Sequence, residues 1–96
     1  MPWYFYVLKC VDNSLYAGIT TDIQRRLHEH NFTNRGAKYT RGRRPVELVH
    51  IDIFENRSQV SKAECIFKKL PTWKKRLIVN SSDVPVIGSP GDKVDK

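Results

Sequence analysis

Cysteine is scarce in this chain: Cys10 and Cys65 are the two present in 96 residues, far apart and without a C-x-x-C pair. A disulfide-stapled secreted scaffold is thereby excluded, and with no paired histidines a zinc site lacks ligands. Both thiols are expected to be reduced and packed. Long apolar runs are absent as well, and no window approaches the roughly 18 residues that a membrane span requires. The opening Met1-Pro2-Trp3-Tyr4-Phe5 carries no basic n-region, apolar h-region or small-residue cleavage site, so a cytoplasmic location with no membrane partner is expected. Acids are outnumbered, 10 Asp and Glu against 17 Lys and Arg, and the formal net charge of +7 makes a polyanionic partner plausible.

What is present suffices for one domain with one site, since 40% of the residues are hydrophobic and 10% aromatic. The positive charge is concentrated. Arg35, Lys38, Arg41, Arg43 and Arg44 fall within residues 35–44, a stretch that contains no acid and is interleaved with Gly36, Tyr39, Thr40 and Gly42. Thr40 and the glycines would let backbone N–H groups approach an oxyanion, while guanidinium forks grip phosphate oxygens in pairs. The blander reading is a solubilising loop.

Residues 3–11 are dominated by aromatic and β-branched types and carry no breaker, which predicts a mostly buried strand. Asp12-Asn13-Ser14 supplies turn chemistry and Leu15 to Ile19 a second strand, making a β-hairpin. Thr21 as N-cap and Gln24 match a capping box, so a helix starts at about Asp22, buries Ile23 and Leu27, and frays near Asn31. Residues 32–44 form the basic loop, with one helical turn around Gly36 to Thr40. Pro45 opens a third strand in which Val49, Ile51 and Ile53 face one way and His50 and Asp52 the other, the mark of a sheet with one covered face. Asn56 caps a helix bearing Val60, Ala63, Phe67 and Leu70 at helical spacing, and Pro71 starts another in which Trp73 and Leu77 lie one turn apart. The order ββαβαα predicts an α+β domain over residues 1–79, a three-stranded, mainly antiparallel sheet covered by helices. Residues 80–96 read as a flexible polar C-terminal tail.

Arg26 and His30 project from one face of the first helix, flanking its apolar stripe. Taken alone, each reads better as a surface residue. Glu64 follows Val60 by four and precedes Phe67 by three, at the border of a buried stripe, where a carboxylate needs a metal or an arginine. The alternative is that it pairs with Lys68 at i, i+4. Together with Tyr6 and with Tyr16-Ala17-Gly18 in the hairpin, these residues form a pattern that resembles the GIY-YIG nuclease family. Phe5-Tyr6-Val7 stands where the first triplet of the family name falls and Tyr16-Ala17-Gly18 where the second falls, neither literally. The stretches Tyr16 to Thr21 and Gly36 to Pro45 look like those of its small stand-alone members, and the resemblance covers residues 3–79.

The resemblance implies phosphodiester hydrolysis with one Mg²⁺ or Mn²⁺ held by Glu64. Arg26 would bind the scissile phosphate, and Tyr6 and Tyr16 would contact the attacking water, with Tyr6 as general base and His30 as its proton acceptor. Arg35, Lys38, Tyr39, Arg41, Arg43 and Arg44 are the expected nucleic-acid contacts, to DNA ahead of RNA. No small-molecule cofactor is implied, and a monomer or weak dimer is expected. The asparagine that nuclease members often place on the last helix has no certain counterpart; Lys69 and Lys74 are the nearest polar candidates. The competing readings are a non-catalytic DNA- or RNA-binding module using loop 35–44, and a scaffold whose charge is incidental.

Strand parity tests the shared site. Paired residues on antiparallel strands share a face, so a two-residue Asp12-Asn13 turn would set Tyr16 opposite Lys9 and send Tyr6 to the other face. A three-residue Asp12-Asn13-Ser14 loop pairs Cys10 with Tyr16 and puts both tyrosines on one face. Such a loop needs a residue at positive φ, for which Asn13 is better suited than Ser14.

Overall fold

The computed structural model describes residues 1–81; the predicted tail beyond them lies outside the described residues. Strands β1 (Trp3–Lys9) and β2 (Leu15–Thr20) form the hairpin, α1 (Ile23–Phe32) and the four-residue α2 (Lys38–Arg41) follow, and β3 (Glu47–Phe54), α3 (Arg57–Lys69) and α4 (Thr72–Asn80) complete the α+β domain. The sheet is antiparallel throughout, in the order β2-β1-β3.

The central position of β1 explains its unbroken apolar run. Phe5, Tyr6, Val7 and Leu8 are all buried, alternate residues facing opposite layers. Tyr6 and Leu8 pack with Leu27 of α1, Val46 and Leu48. Phe5 and Val7 pack with Val60 and Phe67 of α3, Phe5 meeting Phe67 edge to face with ring centroids 5.3 Å apart. Both faces of the sheet are therefore covered, where the alternation in β3 predicts one. The cause is a β-bulge: the Val7–His50 pair is followed by Leu8–Leu48, leaving Val49 extra. The extra residue reverses the phase, so Ile51 joins the Tyr6 layer while Val49 joins the Phe5 layer.

In the hairpin, the Cys10 N–H donates to the Ser14 carbonyl and the Asn13 N–H to the Cys10 carbonyl, both at 2.9 Å, and Asn13 has φ of 69°. The loop has three residues and the positive φ at Asn13, as parity requires. It is Val11-Asp12-Asn13, however, so Tyr16 pairs with Leu8 and not with Cys10. The slip is one residue on each strand, which leaves Tyr6 and Tyr16 on the same face.

The α1 cap is also displaced by one residue. Asp22, not Thr21, accepts the Arg25 N–H at 3.1 Å, because the Thr20 hydroxyl accepts the Asp22 N–H at 3.1 Å and turns the chain there. On α4 the inward residues are Ile78 and Val79, while Trp73 and Leu77 are exposed. Cys10 is buried as expected, but Cys65 is exposed on α3. No helix among the described residues is long and apolar enough to cross a membrane.

Candidate active site

Tyr6 lies opposite Gly18 in the hairpin, and its ring covers that glycine so closely that a Cβ there would stand 2.6 Å from the phenol Cζ. Any side chain at 18 would displace the phenol, which accounts for the glycine in Tyr16-Ala17-Gly18. The Tyr6 hydroxyl is 2.9 Å from His30 Nε2, His30 Nδ1 is 3.0 Å from Thr40 Oγ1, and the Thr40 hydroxyl donates to the Ala37 carbonyl at 2.9 Å. These contacts form one consistent chain: Tyr6 O–H donates to Nε2, Nδ1–H to Thr40, and Thr40 O–H to the carbonyl. The Ala37 N–H also points at Nδ1, at 3.3 Å, an approach that favours the opposite tautomer and is the longest of the four.

His30 and Thr40 are fully buried. Gly36 allows the loop to close over them, since a Cβ there would stand 2.7 Å from His30 Cα and 2.8 Å from the Glu29 carbonyl oxygen. Thr40 and Gly36 are thus spent on docking the loop against α1 rather than cradling an anion, contrary to the reading of the loop from its composition.

Burial pushes the Tyr6 phenol up to about 12, against the pull of the neighbouring Arg26 guanidinium. Burial likewise drives His30 down to about 4, with the Arg26 charge adding to the effect, so the imidazole is neutral at pH 7, able to accept a hydrogen bond but reluctant to take up a proton. For Arg26 itself burial opposes the charge, but Glu29 and Tyr6 more than offset it. Its Nη1 donates to Glu29 Oε1 at 2.9 Å and to the Arg35 carbonyl at 2.8 Å. The first of these bonds is the main reason the Glu29 carboxyl sits below the usual range.

Glu64 is half-buried on α3, near enough for its charge and that of Tyr16 to raise Tyr6 further, and its Oε2 lies 3.1 Å from Lys68 Nζ. The half-burial and the i, i+4 pairing, alternatives in the sequence, coexist. Tyr6, Tyr16, Arg26, His30 and Glu64 therefore converge around one phenol. Its hydroxyl does not open into a cleft, however: Tyr6 is 2% exposed, because β1 is central and α1 lies over it, whereas Tyr16 on the edge strand β2 is half-buried.

Beside this cluster the Tyr16 ring lies between His30, at 5.3 Å between centroids, and Tyr39, stacked on it at 5.9 Å. The Arg43 guanidinium covers the outer face of Tyr39 at 4.1 Å and is held by Asp12 Oδ2 at 3.0 Å and the Tyr39 carbonyl at 2.9 Å. Arg44 is also engaged within the fold, donating from Nε to the His30 carbonyl at 2.8 Å and from Nη2 to that of Thr33, which caps the end of α1. Arg35, Lys38 and Arg41 are exposed.

Glu29 and Asn31 escape the sequence reading, as does the bond of Thr40 to His30. Asn31 is buried and clamps the Val46 backbone, its Oδ1 accepting the N–H at 2.8 Å and its Nδ2 donating to the carbonyl at 3.1 Å. The available signal was Glu29 at i+3 from Arg26 and i+4 from Arg25, which places an acid among cations on the helix.

Among the described residues no three His, Cys, Asp or Glu side chains come together as metal ligands. The donor set is the Glu64 carboxylate with tyrosine hydroxyls nearby. A single hard oxygen donor fits Mg²⁺ or Mn²⁺, which retain waters and take phosphate oxygens, and does not fit a structural zinc.

The family model described as the GIY-YIG catalytic domain matches residues 2–76. The chain is 47% identical over 81 residues to UPF0213 protein DP2720 of Desulfotalea psychrophila, spanning 84% of this chain and 74% of that protein. It is 43% identical over 93 residues to UPF0213 protein YazA of Bacillus subtilis, spanning 93% of each. Among solved structures it is similar to the solution structure of EF2693 from E. faecalis, with a TM-score of 0.56, 47% identity, and coverage of 83% of this chain and 85% of that one. The solution structure of UPF0213 protein BH0048 from Bacillus halodurans gives a TM-score of 0.55 at 41% identity, with coverage of 83% and 84%.

Proposed function

Because the chain belongs to the GIY-YIG family of nuclease domains, we propose that it hydrolyses a phosphodiester of nucleic acid, using Tyr6, Tyr16, Arg26, His30 and Glu64. The observation that carries this reading is the bond between the Tyr6 phenol and a buried, neutral His30, with Arg26 and Glu64 both acting on the same phenol. A phenol near 12 is a poor base by itself. His30 holds the phenol O–H through Nε2 at 2.9 Å and gives it a route for its proton, a transfer that burial of both groups opposes and that the Arg26 charge assists by favouring the phenolate. Arg26 lies only a quarter exposed, at 26% of its side-chain surface, so its charge acts where water screens it little. There it would stabilise the additional negative charge on phosphate oxygens in the transition state. Tyr16, half-buried at the edge of the sheet, orients the attacking water. Glu64 would hold Mg²⁺ or Mn²⁺, which supplies positive charge to the phosphate and lowers the pKa of bound water. Arg35, Lys38 and Arg41 contact flanking phosphates, while Tyr39, Arg43 and Arg44 support the loop that carries them.

The test is a cleavage panel of duplex, single-stranded and branched DNA and of RNA, in Mg²⁺ and in Mn²⁺. Wild type should cut at least one member, and Glu64→Gln should lose more than about a hundredfold in rate while still binding. Tyr6→Phe should lose more than Tyr16→Phe; the reverse order transfers the base role to Tyr16. A second reading, a non-catalytic nucleic-acid binder, is favoured by the exposed cations of the loop, which do not depend on Glu64. Salt-dependent binding by wild type with no cleavage of any substrate selects it.

A further inference from the structure

Glu64 is the lone acid of α3, and no Asp or Glu follows it until Asp83, while Lys68, Lys69, Lys74, Lys75 and Arg76 do. Of these cations it is Lys68, one turn on, that reaches the carboxylate, with Nζ 3.1 Å from Oε2. The i, i+4 spacing sets the two groups side by side whenever α3 forms. The two groups differ in freedom: the Lys68 side chain is 53% exposed and the Glu64 side chain 23%. The carboxylate is held at the site and the ammonium can leave it.

We propose that Lys68 is a resident counter-ion which a divalent metal must displace from Glu64, so that metal loading stays weak until substrate phosphate draws the ammonium away. The proposal rests on Glu64 being the metal ligand. An ammonium on Oε2 and a dication on the same carboxylate repel each other, so the two occupancies compete. Once displaced, the ammonium stays on a flexible stem one helical turn from Glu64, where an incoming phosphate oxygen can replace the carboxylate as its partner. Substrate binding and metal binding then favour one another, and by linkage they do so equally. Because exposed ion pairs are weak, the competition is worth a factor of about two to five in metal affinity, enough to grade loading without preventing it.

The test measures Mn²⁺ binding directly, from the paramagnetic resonance signal of the free ion at low ionic strength, in wild type, Lys68→Met, Lys62→Met and Glu64→Gln. Lys62 is exposed on α3, two residues before Glu64 and hence not its neighbour on the helix surface, so its removal controls for the change in net charge. Lys68→Met should bind Mn²⁺ about two- to fivefold more tightly, clearly more than Lys62→Met, and the gain should shrink in about 0.5 M KCl. Equal affinities in the two lysine variants overturn the proposal. Wild-type affinity in Glu64→Gln shows that the metal reading itself has failed, and the role of Lys68 falls with it.

Discussion

Phe5 and Tyr6 are neighbours in β1, yet they face different interiors. The buried residues beneath Phe5 are apolar, Val7, Ala17, Val60 and Phe67, with the half-buried His50 ring edge-on to Phe5 at 5.8 Å. The layer beneath Tyr6 contains Leu8, Leu27, Val46 and Leu48, but α1 also buries Glu29, His30 and Asn31 there, and α2 buries Thr40. Each of those polar groups is bonded: Glu29 to Arg26, His30 to Tyr6 and Thr40, and Asn31 to the Val46 backbone. An apolar layer stabilises by area removed from water and tolerates rearrangement, whereas a buried polar layer contributes little net energy and penalises any missing partner. One face of β1 supplies stability and the other supplies placement.

The sharpest way to break this comparison is to truncate one residue on each side. Phe67→Ala should cost about 3–5 kcal/mol in urea unfolding, through lost burial and the cavity left behind. Tyr6→Phe keeps the ring and leaves the His30 Nε2 without its partner, at about 1–3 kcal/mol. Equal costs would mean that the two layers do not differ as described.

Acid is the second probe. His30 has a folded pKa of about 4 against an unfolded value near 6.5, so between these limits the unfolded chain binds more protons, and the contribution of His30 to stability falls as pH drops through that window. From pH 7 to pH 5 the loss should be about 2 kcal/mol. His30→Gln should flatten the dependence; an unchanged slope in that variant would assign the titration to another group.

The smallest expected effect separates cations that hold the fold from those proposed to contact nucleic acid. Arg44→Met should cost about 1 kcal/mol of stability by uncapping α1. Arg41→Met should leave stability within about 0.5 kcal/mol and make the salt dependence of nucleic-acid binding shallower by about one unit. If Arg44→Met lowers the salt slope with no loss of stability, its guanidinium serves the ligand instead of the helix.

Pattern along the chain revealed the element order and the apolar stripes, while the grouping of the five polar residues came from the family resemblance. Parity also placed the positive φ at Asn13 and set both tyrosines on one face. The register was still missed by one residue on each strand, because Ser14 closes the hairpin with Cys10 instead of belonging to the loop, and both versions suit the same turn chemistry. The bulge at Val49 was illegible, since Val-His-Ile-Asp-Ile alternates perfectly and only packing against two helical layers shows that one residue is extra. In the basic loop, charge density was visible but the occupancy of each guanidinium was not. Arg43 and Arg44 differ from Arg41 only in which carbonyls and carboxylates fold up against them.

Arg76 of α4 donates to the carbonyl of Asn13 at 2.6 Å, joining residues 63 positions apart. The family match ends at residue 76, the residue that makes this bond. For anyone wishing to transplant the domain onto another protein, that contact fixes where the cut can be made. A fragment stopped at Pro71 would keep all five polar residues of the candidate site, yet it would release the turn that sets the hairpin register and strip Ile78 and Val79 from the cluster around Phe5 and Phe67. A portable unit therefore extends through α4, and a fusion partner is best attached beyond it.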